Sequence, residues 1–304
     1  MQSLVIFIPV RLELAGLQVL LRSLDNIDVR GLNVSVAFYD DNDDKNSSAM
    51  LAQYCQKGEK SRIVLPALSD LPASEHSRSG SDRGWTPSSV DRIIKIKNAG
   101  ISFAREKDVD FLFLLDADLI MHPYLVSWLV SKEVDIVAGI FWTKFRSDGP
   151  LMPNVWDVQT YKHLSAESII RLREAGLHRV GGLGAATLLS RKALHSGLSF
   201  ARIPNVDFWG EDKHFCVRAV CLGFELYVDT TYPLFHMYRP GDVEEGRRWL
   251  ERGCPPEYVR SFLDSEWEEE IRKWWSRSQR APEGSLRRKM AGRLRWLANL
   301  LDPK

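Results

Sequence analysis

Asp116 and Asp118 stand one residue apart behind an unbroken apolar run, Phe111-Leu112-Phe113-Leu114-Leu115. Five apolar residues in a row are the pattern of a strand buried on both faces, as in a parallel sheet. Met121-His122-Pro123 ends that pattern and lets a helix begin at Tyr124. In an open α/β sheet, ligands bind at the carboxyl ends of the strands. Two carboxylates placed there are hard oxygen ligands for a hard divalent cation, Mg²⁺ or Mn²⁺, whose other positions substrate phosphates can fill. Ala117 leaves the space between the acids open. Taken alone, an Asp-x-Asp reads as a solvated strand end with two surface aspartates, so the rest of the chain has to decide.

The elements that must hold this edge can be followed along the chain. Leu4-Val5-Ile6-Phe7-Ile8 is another buried run, closed by Pro9-Val10-Arg11. Leu14, Leu17, Leu20, Leu21 and Leu24 follow at helical spacing. A strand over residues 34–39 ends in Asp40-Asp41-Asn42-Asp43-Asp44, which can cap the next helix and adds carboxylates to the same sheet edge. Residues 50–56 read as helix and 62–65 as a short strand. Residues 69–89 are rich in Ser, Pro, Gly and charge, and their length predicts a lid bordering the mouth of the site. A helix over 90–106, with Ile93, Ile94, Ile96, Ala99 and Phe103, leads into the Asp-x-Asp strand. Strand alternating with helix argues a doubly wound α/β sheet, parallel through this part.

Residues 135–140 form the next predicted strand. Residues 141–157 are aromatic and proline-bearing, and read as a substrate wall. A helix is predicted over 166–175. Gly181-Gly182-Leu183-Gly184-Ala185-Ala186 lacks the dinucleotide-binding spacing but lets backbone approach a ligand closely. Gly210-Glu211-Asp212 opens a helix to about residue 222, and a strand pair or long strand over 224–235 ends at His236. From residue 241 tryptophan and charge dominate, and the segment reads as a helical extension.

Composition narrows the function classes. The 304 residues suffice for one large domain or two smaller ones. With 44% hydrophobic and 27% charged residues, the chain is an ordinary globular protein. Lys plus Arg number 41 against 40 acids, so no bulk field favours nucleic acid. Cys55, Cys216, Cys221 and Cys254 show neither metal-ligand spacing nor a disulfide framework, which predicts reduced thiols and a cytoplasmic chain. The apolar start has no basic leader, and no run reaches the roughly 18 apolar residues of a membrane span.

These motifs together resemble the GT-A glycosyltransferases, most like the family 2 group. The matching residues are Val5-Ile6-Phe7-Ile8-Pro9-Val10-Arg11, Tyr39-Asp40-Asp41-Asn42 and Lys97-Asn98-Ala99-Gly100 before the strand ending in Asp116-Ala117-Asp118. Gly210-Glu211-Asp212 and His236 complete the match, which covers about residues 3–240. The resemblance implies a Rossmann-like doubly wound mixed sheet. It implies a catalytic domain over 1–240, with a nucleotide-sugar half to about 120 and an acceptor half beyond, and a C-terminal appendage over 241–304. Pro9, Val10 and Arg11 would line the nucleotide base, and Asp41 would accept a hydrogen bond from its edge. Lys95 and Asn98 would contact the donor, with Ala117 beside it. Asp118 and His236 would bind Mn²⁺ or Mg²⁺, and Asp116 would contact the ribose or the metal through water. Asp212 matches the general base of inverting members, with Glu211 positioning the acceptor. The loop over 69–89 departs from the family 2 pattern.

The implied activity is transfer of a hexose from a UDP- or GDP-sugar to a hydroxyl on a glycan, lipid-linked or protein acceptor. A divalent metal would stabilise the departing diphosphate, and a carboxylate would take the acceptor's proton. Asp212 could also be a helix cap, and His236 a packed core histidine. His214 falls inside a predicted helix, and Pro123 turns the chain away after His122. The alternative is a nucleotide-sugar- or glycan-binding module without transfer activity. A nucleotidyltransferase would need a glycine-rich basic loop where Arg11-Leu12-Glu13-Leu14 stands. A haloacid-dehalogenase-type phosphatase would need a hydroxyl residue soon after Asp118, where Leu119-Ile120 stands. Residues 285–304 place Leu286, Met290, Leu294, Leu297 and Leu301 on one helical stripe beside Arg287, Arg288, Lys289, Arg293 and Arg295. That predicts a basic amphipathic helix able to rest on the inner, anionic membrane face.

Overall fold

The structure of the chain is a computed structural model that describes residues 1–57, 61–72, 86–146, 148–158, 164–206 and 210–279. Residues 73–85 of the predicted lid and the whole predicted membrane helix, 285–304, lie outside the described residues.

Alternation along β1 (Gln2–Val10) explains the centre of the molecule. Leu4, Ile6, Ile8 and Val10 enter one core, while Val5 and Phe7 enter another on the opposite face. Each face needs a helical cover. α1 (Leu14–Asp25) brings Leu17, Leu20, Leu21 and Leu24 to the first. β2 (Leu32–Asp40) pairs with β1 in parallel, with Val10 opposite Asp40. Asp44 then caps α2 (Lys45–Lys57), accepting from the backbone N–H groups of Asn46 and Ser47 at 3.1 and 3.3 Å. β3 (Arg62–Val64) follows in parallel with β2.

α3 (Pro87–Glu106) covers the second face. It starts earlier than its apolar spacing predicts, because Thr86 caps it through the Ser89 N–H and Pro87 takes the first position. Gly100 lets the Phe7 ring lie against the helix; a Cβ there would overlap the ring. β4 (Phe111–Leu114) pairs with β1 in parallel, so β1, β2 and β4 all end at one edge. β5 (Leu119–Ile120), α4 (Leu125–Val130) and β6 (Ile136–Gly139) come next.

The second half breaks the parallel pattern. The segment read as an irregular wall contains β7 (Trp142–Thr143), β8 (Met152–Pro153) and β9 (Val155–Trp156). α5 (Ala166–Arg171) stops short of the predicted 175. After it run β10 (Leu177–Val180), unmarked in the sequence, β11 (Gly182–Leu183), β12 (Thr187–Ser190), α6 (Arg191–Leu194) and α7 (Glu211–Cys221). Of the strand pair or long strand predicted over 224–235, the structure has two strands, β13 (Leu226–Asp229) and β14 (Phe235–His236). Pro233, which has no N–H to donate, lies between them. β13 joins the main sheet, whereas β14 leaves it to pair with β5. The eight-stranded sheet has the order β10-β13-β6-β12-β4-β1-β2-β3. It is mixed, because β12 runs antiparallel to β4 and β6, and β10 antiparallel to β13.

The extension is helical, in α8 (Asp242–Glu251), α9 (Pro256–Arg260) and α10 (Ser265–Gln279). Its apolar side merges with the main core: Trp249, Val259, Leu263, Trp267 and Ile271 share a cluster with Phe7 and Phe215. Gly246 lets α8 sit on the Ile120 side chain, and Trp267 Nε1 donates to the Leu151 carbonyl at 3.0 Å. Burying one large apolar side chain contributes about 1.5–3 kcal/mol, so these residues anchor the extension. All four cysteines are unbridged thiols. Among the described residues no helix is long and apolar enough to cross a membrane.

Candidate active site

α3 carries a charge where its spacing calls for an apolar residue. Val90, Ile94, Lys97, Ile101 and Ala104 share its buried stripe, and Lys97 is only 3% exposed. An ammonium buried so deeply has to be paired. Lys97 Nζ donates to Glu211 Oε1 at 2.7 Å and to Asp212 Oδ1 at 3.2 Å, and lies 3.6 Å from Asp116 Oδ1. One cation thus draws together the middle of α3, the end of β4 and the start of α7. Burial alone would lower the ammonium's pKa, but Asp116, Asp212 and Glu211 together hold it well above its ordinary value.

The residues predicted on either side of Lys97 go elsewhere. Lys95 donates to the Asp70 carbonyl, and Asn98 Oδ1 accepts from the Phe200 N–H at 2.8 Å. The sequence signal for Lys97 was its place in the apolar stripe.

Gly210 enters α7 at φ 101°, a left-handed conformation that glycine adopts without strain. Gly210 holds the cap position, so the capping alternative for Asp212 does not apply. Glu211 and Asp212 fill the first helical turn, where the helix dipole favours carboxylates. Gly184 faces Asp212; a Cβ there would come within 3.2 Å of Oδ2. Burial raises the Asp212 carboxyl to about 7; Lys97 pulls it down, while Glu211 and Asp116 push it up. Burial also raises Asp116, again with Lys97 opposing and the Asp118 and Glu211 charges adding.

β14 brings the second group into place. Its register with β5 sets His236 opposite Leu119, and the Met237 N–H donates to the Asp118 carbonyl at 2.8 Å. His236 Nε2 stands 3.3 Å from Asp118 Oδ2. The Thr143 hydroxyl meets His236 Nδ1 at 2.8 Å and so fixes the ring with Nε2 toward the carboxylate. Neighbouring ligands of an octahedral cation with bonds of about 2.1 Å lie about 3 Å apart, so the pair fits two corners of a metal site. Among the described residues no group of three or more His, Cys, Asp or Glu gathers to hold a metal unaided, so further positions would fall to ligand oxygens or water. Ala117 packs into the core beneath.

The edge of β1 and β2 is organised differently. Pro9 is half-buried, and Val10 is a core residue whose carbonyl accepts from the Asp41 N–H at 2.8 Å. Asp41 is gripped by Arg92, whose Nε lies 2.8 and 3.1 Å from its two oxygens and whose Nη2 also pairs with it. Arg11 reaches Asp41 at 3.5 Å and pairs with Asp43. Asn42 Oδ1 accepts from the Leu12 N–H at 2.8 Å. Arg92 was missed in the sequence because it lies on the polar side of α3, next to a segment with no periodicity. Gly181 and Gly182 approach their own chain: Cβ atoms there would overlap the Asp157 backbone and the Trp156 ring. His214 Nδ1 accepts from the Ile203 N–H at 3.2 Å, and His122 stacks on Tyr232. A cavity of about 490 Å³ opens beside the Asp118–His236 pair, with His236 in its wall.

No family profile matches the chain, and no curated protein matches it. Among solved structures it is similar to GalNAc-T7 crystallised with UDP, GalNAc and Mn²⁺, at a TM-score of 0.52 and 14% identity over 79% of this chain. The chain spans 44% of the length of that one. It also aligns with a mycobacterial protein at a TM-score of 0.45 and 16% identity, over 83% of this chain and 73% of the other. The first likeness shows the fold, a GT-A Rossmann-like α/β arrangement around a large mixed sheet.

Proposed function

We propose that this chain is a metal-dependent hexosyltransferase that moves a sugar from a UDP- or GDP-sugar to an acceptor hydroxyl with inversion. One observation carries the reading. Asp116, Asp118, Glu211 and Asp212 gather at the sheet edge with a single ammonium, Lys97, among them. Such an excess of negative charge suits a divalent cation that arrives with a diphosphate. The UDP and Mn²⁺ bound to GalNAc-T7 support the same class of donor.

Asp118 and His236 would hold Mn²⁺ or Mg²⁺, with Asp116 on the ribose or a metal-bound water. When bound, the ion supplies Lewis-acid stabilisation of the departing diphosphate. The chain's own groups do the rest. Asp212, unprotonated, accepts the proton of the acceptor hydroxyl. The new glycosidic bond forms as the sugar–phosphate bond breaks, and the bonding pair leaves on the diphosphate. Lys97 keeps Asp212 and Glu211 in place, and Glu211 orients the acceptor. Pro9, the Val10 backbone, Arg11 and Asp41 form the nucleotide side of the site. The acceptor is a glycan, lipid-linked or protein hydroxyl, and the reaction is assigned to the cytoplasm.

The test is release of nucleoside diphosphate from a panel of UDP- and GDP-sugars, with Mn²⁺ or with chelator, for wild type and Asp118→Ala. The expected result is metal-dependent turnover of one donor that the variant loses. Metal-dependent nucleotide binding without turnover of any donor, with or without sugar acceptors, would make the chain a binding module. Turnover undiminished in Asp118→Ala would sink the metal assignment.

A further inference from the structure

We propose that the cavity framed by β7, β14 and α8–α10 is an acceptor subsite that takes an uncharged saccharide ring. This rests on the transferase reading above, and it gives the C-terminal helices a part in substrate choice. The cavity measures about 490 Å³, room for one or two sugar rings. It shares His236 with the metal pair, so a glycan seated there lies next to the donor side.

The lining has the two chemistries a sugar ring needs. Tyr238 and Phe262 offer aromatic surface, with Phe262 38% exposed, against which the C–H face of a pyranose can pack. Around them stand acceptors for hydroxyl groups. Glu266 and Glu270, one turn apart on α10, are exposed and engage no partner among the described residues. Asp264 uses one oxygen on the Trp267 N–H at 3.0 Å and keeps the other.

A donor is present as well. Arg239 lines the cavity half-buried, and its Nη2 donates to the Lys144 carbonyl at 3.0 Å. A guanidinium carries five N–H donors, so Arg239 has more of them than that one bond uses to offer a sugar oxygen. Charge sets the selectivity. Carboxylates in the lining outnumber Lys144 and Arg239, so a sulfated or carboxylated sugar would meet like charge.

The experiment is saturation-transfer NMR with lactose, maltose, cellobiose and chitobiose as neutral probes and a sulfated disaccharide as the anionic one. Each protein sample also receives Mn²⁺ with UDP or with GDP in a thermal-shift assay. We expect at least one neutral disaccharide to bind the wild type and the sulfated one to give no signal. Affinity should fall about five- to tenfold in Phe262→Ala and in the double variant Glu266→Gln/Glu270→Gln. These residues are surface-exposed, so both variants should fold and keep the nucleotide shift. The proposal is overturned if no neutral probe binds, if neither variant weakens binding, or if the sulfated probe binds equally well. The nucleotide assay separates the two ideas. A nucleotide shift without saccharide binding removes the subsite and leaves the transferase reading standing. Variant-sensitive saccharide binding without any nucleotide shift does the reverse.

Discussion

Two charged networks share the carboxyl edge of the sheet and end in opposite electrical states. Beside β1 and β2, Arg11 and Arg92 meet Asp41 and Asp43 one for one. Beside β4 and α7, Lys97 alone answers Asp116, Glu211 and Asp212, with Asp118 and His236 close by. The first network is neutral and positions backbone. The second is held together by the scaffold against its own repulsion. The contrast separates a charge-balanced network from one in which carboxylates are in excess.

The sharpest way to break that contrast is to remove its pivot. Lys97→Met leaves the buried Glu211 and the partly exposed Asp116 and Asp212 with no counter-charge, and should cost about 3 kcal/mol of stability in urea unfolding and abolish transfer. Arg92→Met removes a half-buried arginine from the balanced network and should cost clearly less. Equal losses would show that the two networks are alike.

Next in size is Asp212→Asn, which preserves shape but cannot take a proton. Transfer should fall about 10²- to 10⁴-fold with nucleotide binding retained. The sign of the pH dependence follows from the raised carboxyl. Protonated Asp212 cannot act as base, so kcat/KM should climb with pH up to about 7 and flatten above it. A profile flat from pH 5 to 8 would remove Asp212 from the base role.

Thr143→Val tests the metal side more gently. Losing the hydroxyl frees the His236 ring, and Mn²⁺ affinity read by electron paramagnetic resonance should weaken about 10- to 100-fold. Unchanged affinity would mean that the ring needs no orienting partner. The smallest expected effect is Arg11→Gln. Its exposed partner Asp43 contributes little, so stability should change by less than about 1 kcal/mol. A larger loss would mean that the Arg11 contact to the buried Asp41, not the one to Asp43, carries the weight.

Most of the sheet's first half was legible because buried parallel strands announce themselves as apolar runs, as residues 4–8 and 111–115 do. Asp116 and Asp118 stood out for the same reason, as charges at the end of such a run. The second half was harder. β7, β8, β9, β11 and β14 are two residues each, too short for any period to show. Thr143, the partner of His236, lies in one of them. Lys97 was quoted within a motif but given no role, because a lysine on a helix is ordinarily a solvent residue, and its alignment with Ile94 and Ile101 shows otherwise. Trp249 and Trp267 read as part of an appendage because charge surrounds them, yet both rings are core.

The short ladder between β5 and β14 also ties the Asp118–His236 pair to the length of the chain. Two-residue strands cannot hold each other unaided, and their ends come from distant parts of the chain. Asp118 and His236 are far apart in the chain, and their meeting rests on the β5–β14 ladder, with α8 packed on Ile120 through Gly246. On the proposed metal assignment, a chain cut before β14 carries Asp118 without His236 and should bind Mn²⁺ more weakly than the full chain.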